Sequence, residues 1–438
     1  MGKYFVQNFG CRASQSDGAA LDSMLAAKGL ESADERARAD LVVLNTCTVT
    51  SSADEDLRQT IRRVHRENPA ARILVTGCYA QRAPEELASF AGVEWVVGNS
   101  HKTRIADLVT IGQDPTAAAP YHGNILVGDI FAQREFLSAP VHDSAAGRVR
   151  PNLKIQDGCN NRCSFCIIPF VRGRSRSAPA EQVVEQVRTL SRRYREIVLS
   201  GINLGRWGRE LCLQHTGGSK MRLADLIRRL LAETAVDRLR LSSVEPMDLS
   251  DDLLDLMAAS TRIAKHVHAP LQSGSDRILR RMHRKYRPRH YADRILKARA
   301  LMPDAAIGAD VMVGFPGETD ADFEESKRFI DALPFTYLHV FTYSERPGTP
   351  AAEDRDSVPV CVRKERNHEL RDLAADKNRK FREGMIGRTL SAVTLHEPGS
   401  ALTSNYLDVE LSAMREPNSL VKIKIGAITR NGVLEAPT

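Results

Sequence analysis

The chain has 438 residues, of which 42% are hydrophobic and 27% are charged, which predicts two or three globular domains and excludes a mainly membrane-embedded protein. No apolar run reaches the roughly eighteen residues of a membrane span, and the amino terminus lacks the pattern of a signal peptide, so we expect a cytoplasmic protein with no membrane partner. The formal net charge of +7 suits a polyanionic partner without proving one.

Apolar strand patterns alternate with helical patterns through the first hundred or so residues, which predicts a parallel sheet with right-handed crossovers. Three of the predicted strands, "KYFVQNFGC", "DLVVLNTC" and "RILVTGC", end at Cys11, Cys47 and Cys78. Because ligands bind at the carboxyl ends of such strands, we expect the three cysteines to meet at one edge as ligands. Buried structural cysteines are the alternative.

Residues 113–147 lose this periodicity and gather Ala, Pro and Gly, which predicts a linker with a short strand at "NILVG". Six strand patterns with helical patterns between them then run from "NLKIQ" at 152–156 to "YLHVFTY" at 337–343, and they predict a partial (β/α)6 barrel. A charged helix begins near residue 363, and from 388 onward period-two patterns predict a small all-β, OB-like module.

The loop "QDGCNNRCSFC" places three cysteines directly after the first strand of the second series. Clustered cysteines in a reducing compartment more often bind metal than form disulfides. Cys159, Cys163 and Cys166, with Phe165 before the last, suit three corners of a 4Fe-4S cluster, whose fourth iron stays open to a small molecule. A zinc site completed by Asp157 or a distant His is the alternative.

Two runs of the chain are strongly basic. Residues 148–176 carry seven Lys or Arg against the single acid Asp157, and residues 277–294 carry eight against Asp293. Solvated helix faces usually mix charges of both signs, so these runs favour a phosphate-rich partner.

The cysteine loop opening a partial barrel resembles the radical S-adenosylmethionine superfamily. Within it the chain is most similar to the methylthiotransferases, which join an amino-terminal α/β domain, a radical domain and a small RNA-binding TRAM domain. This resemblance implies the domains 1–112, 148–375 and 376–438, with 113–147 as the linker. The stretches that carry it are "NTCTVTS", "TGCYAQR", "IQDGCNNRCSFCIIP", "LSGINLG", "LSSVEP", "APLQSGSD", "VMVGFPGET" and "FTYSERPGTPA".

The resemblance implies two 4Fe-4S clusters and S-adenosylmethionine as cofactors. The cluster on Cys159, Cys163 and Cys166 would bind S-adenosylmethionine at its open iron, and a second cluster would sit on Cys11, Cys47 and Cys78, where the family binds the sulfur to be transferred. Turn and cap chemistry is the alternative for the other implied site residues at strand ends. Besides Phe165, the residues implied to hold S-adenosylmethionine or substrate are Gly201, Asn203, Ser242, Ser243, Glu245, Gln272 and Ser273.

The chain departs from the family pattern at "GCRASQ", where Arg12 and Ser14 replace a common Lys and Asn, and at Ala178, where an arginine is common. Cys212 and Cys361 match no motif.

The stretches "NTCTVTSSADEDLRQTIRR" and "TGCYAQRAPEEL" resemble the subgroup that acts on threonylcarbamoyladenosine beside the anticodon of tRNA. Isopentenyladenosine of tRNA and an aspartate of a ribosomal protein are the alternative substrates. An electron donor such as flavodoxin or ferredoxin is implied. A non-catalytic, metal-stabilised RNA-binding protein is the alternative from another class.

Overall fold

The computed structural model describes residues 2–111, 124–137, 149–211 and 221–437. They form two compact units. Most of the predicted linker, at 113–123 and 138–147, lies outside the described residues, and so does Cys212. The predicted sequence domains stay predictions, because the compact units divide the chain differently. The amino-terminal unit holds 2–111, 124–137, 152–178 and 344–352, and the carboxyl-terminal unit holds 149–151, 179–211, 221–343 and 353–437.

A six-stranded sheet organises the amino-terminal unit, in the order β2-β1-β3-β4-β5-β6 with every neighbouring pair parallel. The strand Leu41–Thr46, "LVVLNT", is buried along its whole length, as expected for a central parallel strand covered on both faces. The predicted parallel sheet is confirmed. Its strands are β1 Lys3–Asn8, β2 Glu31–Ser32, β3 Leu41–Thr46, β4 Arg72–Gly77, β5 Val93–Gly98 and β6 Ile125–Leu126.

Helices cover both faces of this sheet. The apolar side of α2 packs on one face through Leu57, Ile61 and Val64, and α1 contributes Leu21 and Leu25 to the core on the other. The short α3 has no periodic signal in the sequence because it is only five residues long, and it was not predicted. The helices are α1 Arg12–Ala27, α2 Ser51–Glu67, α3 Cys78–Arg82, α4 Pro84–Ala88 and α5 Ile105–Ile111.

Two later segments of the chain complete the amino-terminal unit. The first runs through β7 Asn152–Asp157, α6 Ile168–Arg172 and β8 Arg176–Ser177, and β7 pairs antiparallel with β8. The second is 344–352, where the Arg346 guanidinium donates to Asp54 Oδ2 at 2.7 Å. The cysteine loop therefore belongs to the same compact unit as the amino-terminal sheet.

The carboxyl-terminal unit contains five parallel strands in two groups, β9 beside β10 and then β11-β12-β13. With β7, they occupy the six stretches in which the sequence predicts barrel strands. The strands are β9 Glu196–Gly201, β10 Arg238–Leu241, β11 His266–His268, β12 Ala306–Val313 and β13 Tyr337–Thr342.

The helices of this unit follow the predicted pattern, except that α10 was not predicted. No helix among the described residues combines the length and apolar character that crossing a bilayer needs. The helices are α7 Ala180–Ser191, α8 Leu223–Glu233, α9 Asp251–Ala259, α10 Asp276–Arg281, α11 Pro288–Leu301, α12 Asp320–Ala332 and α13 Val360–Glu383.

A small closed barrel ends the chain, in the order β14-β15-β16-β18-β17, which confirms the predicted all-β module. Buried Arg240 on β10 joins this barrel to the rest of its unit, because it pairs with Glu196 Oε1 at 2.7 Å and donates to the carbonyl of Thr403 at 3.0 Å. The strands are β14 Thr389–Thr394, β15 Ser400–Thr403, β16 Asp408–Glu410, β17 Leu420–Ile428 and β18 Val433–Glu435.

Candidate functional site

The three amino-terminal cysteines lie at the carboxyl edge of the parallel sheet. Cys11 directly precedes α1, Cys47 directly follows β3, and Cys78 is the first residue of α3, directly after β4. Gly10 has φ +91°, and a Cβ added there would lie 2.7 Å from Cys47 Sγ. Only glycine allows this approach, so the residue before Cys11 lets two distant cysteine loops come together.

The environment of Cys47 opposes a bare thiolate. Burial, and then the neighbouring thiols of Cys78 and Cys11, raise the pKa of Cys47 to about 12. A thiol becomes a ligand only when a metal displaces its proton. This donor set therefore suits an iron-bound state, in which the metal charge offsets the thiolates.

Cys159, Cys163 and Cys166 lie in the loop between β7 and α6. Backbone hydrogen bonds hold the loop, since the Cys159 amide donates to the carbonyl of Gly173 after α6 at 3.1 Å, and the Cys166 amide donates to the Cys163 carbonyl at 3.1 Å. The three side chains are partly exposed, as binding a small molecule at the cluster requires.

The ligand chemistry of the two cysteine sets differs from that of another group of candidate ligands. Among the described residues, the group of three whose donor atoms all lie within 4.8 Å of one another is His268, Asp310 and His339. That group offers imidazole and carboxylate, whereas each cysteine set offers three thiolates, which are the usual ligands of an iron–sulfur cluster.

Side-chain packing joins the two cysteine triads within the amino-terminal unit. Cys78 packs in one apolar cluster with Ile167 and Val171, which follow Cys166 closely in the chain. The Asn99 amide donates to Cys78 Sγ at 3.7 Å and to the Val171 carbonyl at 2.8 Å. Sequence reasoning could not place the triads relative to each other, because this contact joins α3 to α6.

A buried charge cluster lies beside the cysteines. Asp17 and Asp157 face Lys102, Lys154 and Arg172, and each of the five is at most 5% exposed. Arg172 donates to both carboxylates at 3.0 Å, and Lys154 pairs with both as well. Burial opposes ionisation of Asp157, but these cations hold its pKa well below the usual range. The sequence contains one indication of this charge cluster, namely that Asp157 is the single acid of the basic run 148–176 and lies directly before the cysteine loop.

Two of the strand-end residues in the carboxyl-terminal unit keep unused polar atoms. Ser242 Oγ and Gln272 Oε1 are buried without a hydrogen-bond partner among the described residues. Gln272 also has φ +67°, a conformation that non-glycine residues adopt mainly where the surrounding structure enforces it. Buried polar atoms without partners are uncommon in folded proteins. Both residues therefore fit the predicted contacts to a polar ligand.

The polar side chains of three other predicted contact residues are already bonded. Ser243 Oγ lies 2.6 Å from His268 Nδ1, and Glu245 pairs with Arg284. Ser273 Oγ lies 3.0 Å from the hydroxyl of Ser326, within a buried network. The hydrogen bond between Ser273 and Ser326 favours a structural role for Ser273.

The remaining predicted contacts are placed as follows. Gly201 ends β9, and Asn203 is buried just after it. Phe165 is half-buried within the cysteine loop. Their roles stay predictions.

Comparison with known proteins identifies the family. Residues 3–98 match the model of the uncharacterized protein family UPF0004, and residues 153–330 match that of the radical SAM superfamily. The chain is 36% identical to the threonylcarbamoyladenosine tRNA methylthiotransferase MtaB of Aquifex aeolicus (strain VF5), over 97% of this chain and 100% of the relative. The MtaB of Bacillus subtilis (strain 168) is 37% identical, over 95% and 92%. The chain belongs to the radical S-adenosylmethionine methylthiotransferase family.

The fold of this methylthiotransferase also resembles a solved structure, the radical S-adenosylmethionine methyltransferase TsrM from Kitasatospora setae. The TM-score is 0.58 at 16% identity, covering 80% of this chain and 76% of the other. The family confirms the predictions of a radical S-adenosylmethionine enzyme, of its 4Fe-4S and S-adenosylmethionine cofactors, and of the α/β fold class with a small terminal barrel. It excludes the non-catalytic alternative.

The basic runs of the methylthiotransferase proved to be largely paired internally. In the first run, Lys154 and Arg172 are buried against Asp17 and Asp157. In the second, acids from distant parts of the chain neutralise most of the arginines. These pairs are Arg277–Asp322, Arg281–Asp354, Arg284–Glu245 and Arg294–Asp251. The charge runs alone were therefore a weaker indication of RNA than the sequence suggested.

The sequence gave no reason to single out the group formed by His268, Asp310 and His339. His268 lies on β11, Asp310 on β12 and His339 on β13, and Asp310 Oδ1 lies 3.2 Å from His339 Nδ1. Burial opposes ionisation of Asp310, but the adjacent imidazoles of His268 and His339 lower its pKa well below the usual range. The "HVH" alternation on one strand is the only local signal for this group.

Proposed function

We propose that this methylthiotransferase inserts a methylthio group at C2 of N6-threonylcarbamoyladenosine next to the tRNA anticodon. The observation that carries the proposal is the presence of two separate three-cysteine sets in one compact unit, all six as free thiols. Two relatives that match along nearly the whole chain are named for this substrate.

In this proposal each set of three cysteines holds a 4Fe-4S cluster that keeps one iron without a protein thiolate. When bound, the clusters supply the electron that cleaves S-adenosylmethionine and the iron that carries the sulfur to be methylated and transferred. Ser242 and Gln272 present buried oxygen atoms for a polar ligand, and we assign them to S-adenosylmethionine. Phe165, Gly201, Asn203, Ser243 and Glu245 remain proposed neighbours of that site.

The proposed partners follow from the chemistry. tRNA is the substrate, and its anticodon region is the part to be bound. One-electron reduction needs a donor such as flavodoxin or ferredoxin, and cysteines that bind iron suit a reducing compartment such as the cytoplasm. The small terminal barrel, whose strands are antiparallel except for the pair β16 and β18, is proposed to bind RNA.

Two measurements test the function. Anaerobic reconstitution should give about eight irons per chain, as two 4Fe-4S clusters require, and reduction should release 5′-deoxyadenosine from S-adenosylmethionine. Bound zinc, or iron without that cleavage, would contradict the proposal. For the substrate, tRNA nucleosides from a deletion strain are compared with the parent strain by mass spectrometry.

The expected result is loss of methylthiolated threonylcarbamoyladenosine with the isopentenyl product unchanged. The opposite pattern would identify isopentenyladenosine as the substrate. That outcome has to be tested, because the chain is also 34% identical, over 83% of its length and 82% of the relative, to the tRNA-2-methylthio-N(6)-dimethylallyladenosine synthase of Endomicrobium trichonymphae.

A further inference from the structure

The charge cluster around Arg172 contains more positive than negative charge. Lys102, Lys154 and Arg172 are 3%, 3% and 1% exposed, and their ion pairs among the described residues are with Asp17 and Asp157. Lys102 Nζ lies 3.1 Å from Asp17 Oδ2, and the other two cations contact both acids. An uncompensated buried charge is strongly unfavourable. The unit therefore needs a further negative charge close to these side chains.

The amino-terminal cysteine set lies close to the excess charge. Arg172 donates to Ser14 Oγ at 3.3 Å, and that hydroxyl lies 3.8 Å from Cys11 Sγ. Arg172 also ends α6, the helix whose Val171 packs against Cys78. A cluster bound by three thiolates is an anion, and it becomes more negative when it is reduced. Such a cluster would supply the further negative charge.

The same guanidinium reaches the second cysteine set through Asp157. Its other nitrogen donates to Asp157 Oδ1 at 3.0 Å, and that oxygen accepts the amide of Gly158 at 2.8 Å, one residue before Cys159. Arg172 is thus hydrogen-bonded to Asp157, just before the cysteine loop, and to Ser14 in the first turn of α1, close to Cys11. A planar guanidinium with five donors can make both sets of bonds, whereas an ammonium group cannot hold both orientations.

We propose that Arg172 is a positioning residue that supplies the compensating positive charge to the cluster on Cys11, Cys47 and Cys78 and raises its reduction potential. The inference rests on the proposed cluster ligands. A nearby positive charge stabilises the reduced cluster more than the oxidised one, because the reduced cluster carries the additional negative charge. Lys102 and Lys154 share the two carboxylates with Arg172, so removal of any one of the three cations takes positive charge from the surroundings of the cluster.

The test uses the full-length chain with Cys159, Cys163 and Cys166 changed to Ala, so that only the amino-terminal cluster is present. Its reduction is followed by electron paramagnetic resonance during a redox titration. At one fixed applied potential, Arg172→Gln should lower the ratio of reduced to oxidised cluster about tenfold. This corresponds to a reduction potential lower by about 59 mV for a one-electron couple. Arg172→Lys keeps the charge and should change that ratio less than about threefold.

The matched control is Arg174→Gln, which removes an exposed arginine two residues away and should leave the potential unchanged. An unchanged potential in Arg172→Gln would overturn the inference, and so would equal shifts in the Gln and Lys variants, because geometry rather than charge would then be decisive.

If Arg172→Gln does not fold, Lys102→Gln removes a different cation of the same cluster. It must lower the potential in the same direction, and a folded Lys102→Gln chain with the parent potential would overturn the inference. A parent chain that binds no iron at Cys11, Cys47 and Cys78 would overturn the proposed ligands as well.

Discussion

Side chains of the same type differ in their hydrogen bonds in this protein. Ser242 Oγ is buried and has no partner among the described residues, whereas Ser273 Oγ accepts the Ser275 amide at 3.2 Å and lies 3.0 Å from Ser326 Oγ. Both serines follow strands of the carboxyl-terminal unit, and both resemble family positions. Their surroundings support the proposed contact to S-adenosylmethionine for the first and a structural role for the second.

The two serines make a matched pair of variants. Ser242→Ala should weaken S-adenosylmethionine binding about tenfold, or ~1.4 kcal/mol, with little change in the free energy of unfolding. Ser273→Ala should lower the free energy of unfolding by about 1–2 kcal/mol with little change in affinity. Calorimetry on the reconstituted enzyme and urea unfolding of the cluster-free chain measure the two quantities. The reverse pattern would remove Ser242 from the proposed site.

Cys163→Ala separates the two clusters. The variant should retain about half of the iron and should release 5′-deoxyadenosine at least ~100-fold more slowly, because two thiolates do not hold the radical cluster. Iron analysis and chromatography of the reduced reaction measure both effects. Cys361→Ala, at an exposed cysteine on α13, is the control and should behave as the parent. Full radical generation by Cys163→Ala would contradict the assigned ligands.

At the scale of elements, the start of α12 shows how a helix terminus is joined to a distant loop. Thr319 and Asp322 form a capping box, in which the Asp322 amide donates to Thr319 Oγ1 at 3.3 Å and the Thr319 amide donates to Asp322 Oδ2 at 2.9 Å. Asp322 also accepts from Ser275 Oγ at 2.9 Å and from Arg277 Nε at 3.0 Å. One carboxylate thus fixes α12 to the loop that begins α10.

This carboxylate predicts a pH dependence of stability. Burial raises the pKa of Asp322, but bonds from Arg277 and Thr319 outweigh it and hold the pKa well below the unfolded value. Its stabilisation is therefore present above about pH 4, the unfolded pKa, and is lost as the pH falls toward the folded pKa.

Asp322→Asn should lower the free energy of unfolding by about 1–2 kcal/mol at pH 7, as the loss of a cap does. The difference from the parent should shrink below about pH 4. Urea unfolding of the cluster-free chain across this pH range measures it. Asp372→Asn, at an exposed position on α13, is the control. A difference independent of pH would show that the carboxylate charge is not the source.

At the scale of the whole molecule, the net charge of +7 does not show how many basic side chains form ion pairs with acidic ones. Basic residues that look unopposed in the sequence meet acids from remote segments, as in Arg281–Asp354 at 2.6 Å. Such paired arginines release few counterions when RNA binds. The two runs contain seven and eight basic residues. The number of phosphate contacts derived from the salt dependence of tRNA binding should therefore be smaller than the total of these residues.

We expect the plot of log binding constant against log salt concentration to have a slope shallower than about −5. Arg174→Gln, at an exposed arginine of the first run, should make the slope shallower by about 1, and Arg281→Gln should leave it nearly unchanged. Filter binding of tRNA at several salt concentrations measures these slopes. A slope near −10, or equal effects of the two variants, would show that the paired arginines also contact RNA.

The sequence by itself determined the parallel sheet, the barrel strands, the terminal all-β module and the family. Strand and helix periodicity and the spacing of Cys159, Cys163 and Cys166 are local properties, and residues near in the chain decide them. The ends of parallel strands also predicted that Cys11, Cys47 and Cys78 would lie at one edge, because topology alone places them there. The short helices α3 and α10 were not predicted, because five or six residues are too few to show a helical periodicity.

Only the tertiary structure decided which charges are paired and which unit contains the cysteine loop. Lys154 and Asp17 are 137 positions apart, and Arg172 and Ser14 are 158 apart, so no local pattern could predict these contacts. The physical reason is that a buried charge must find its partner in space, wherever the chain supplies it. The basic run at 148–176 illustrates this. In the sequence it suggested binding to RNA, but in the structure its Lys154 and Arg172 are buried beside the two cysteine sets.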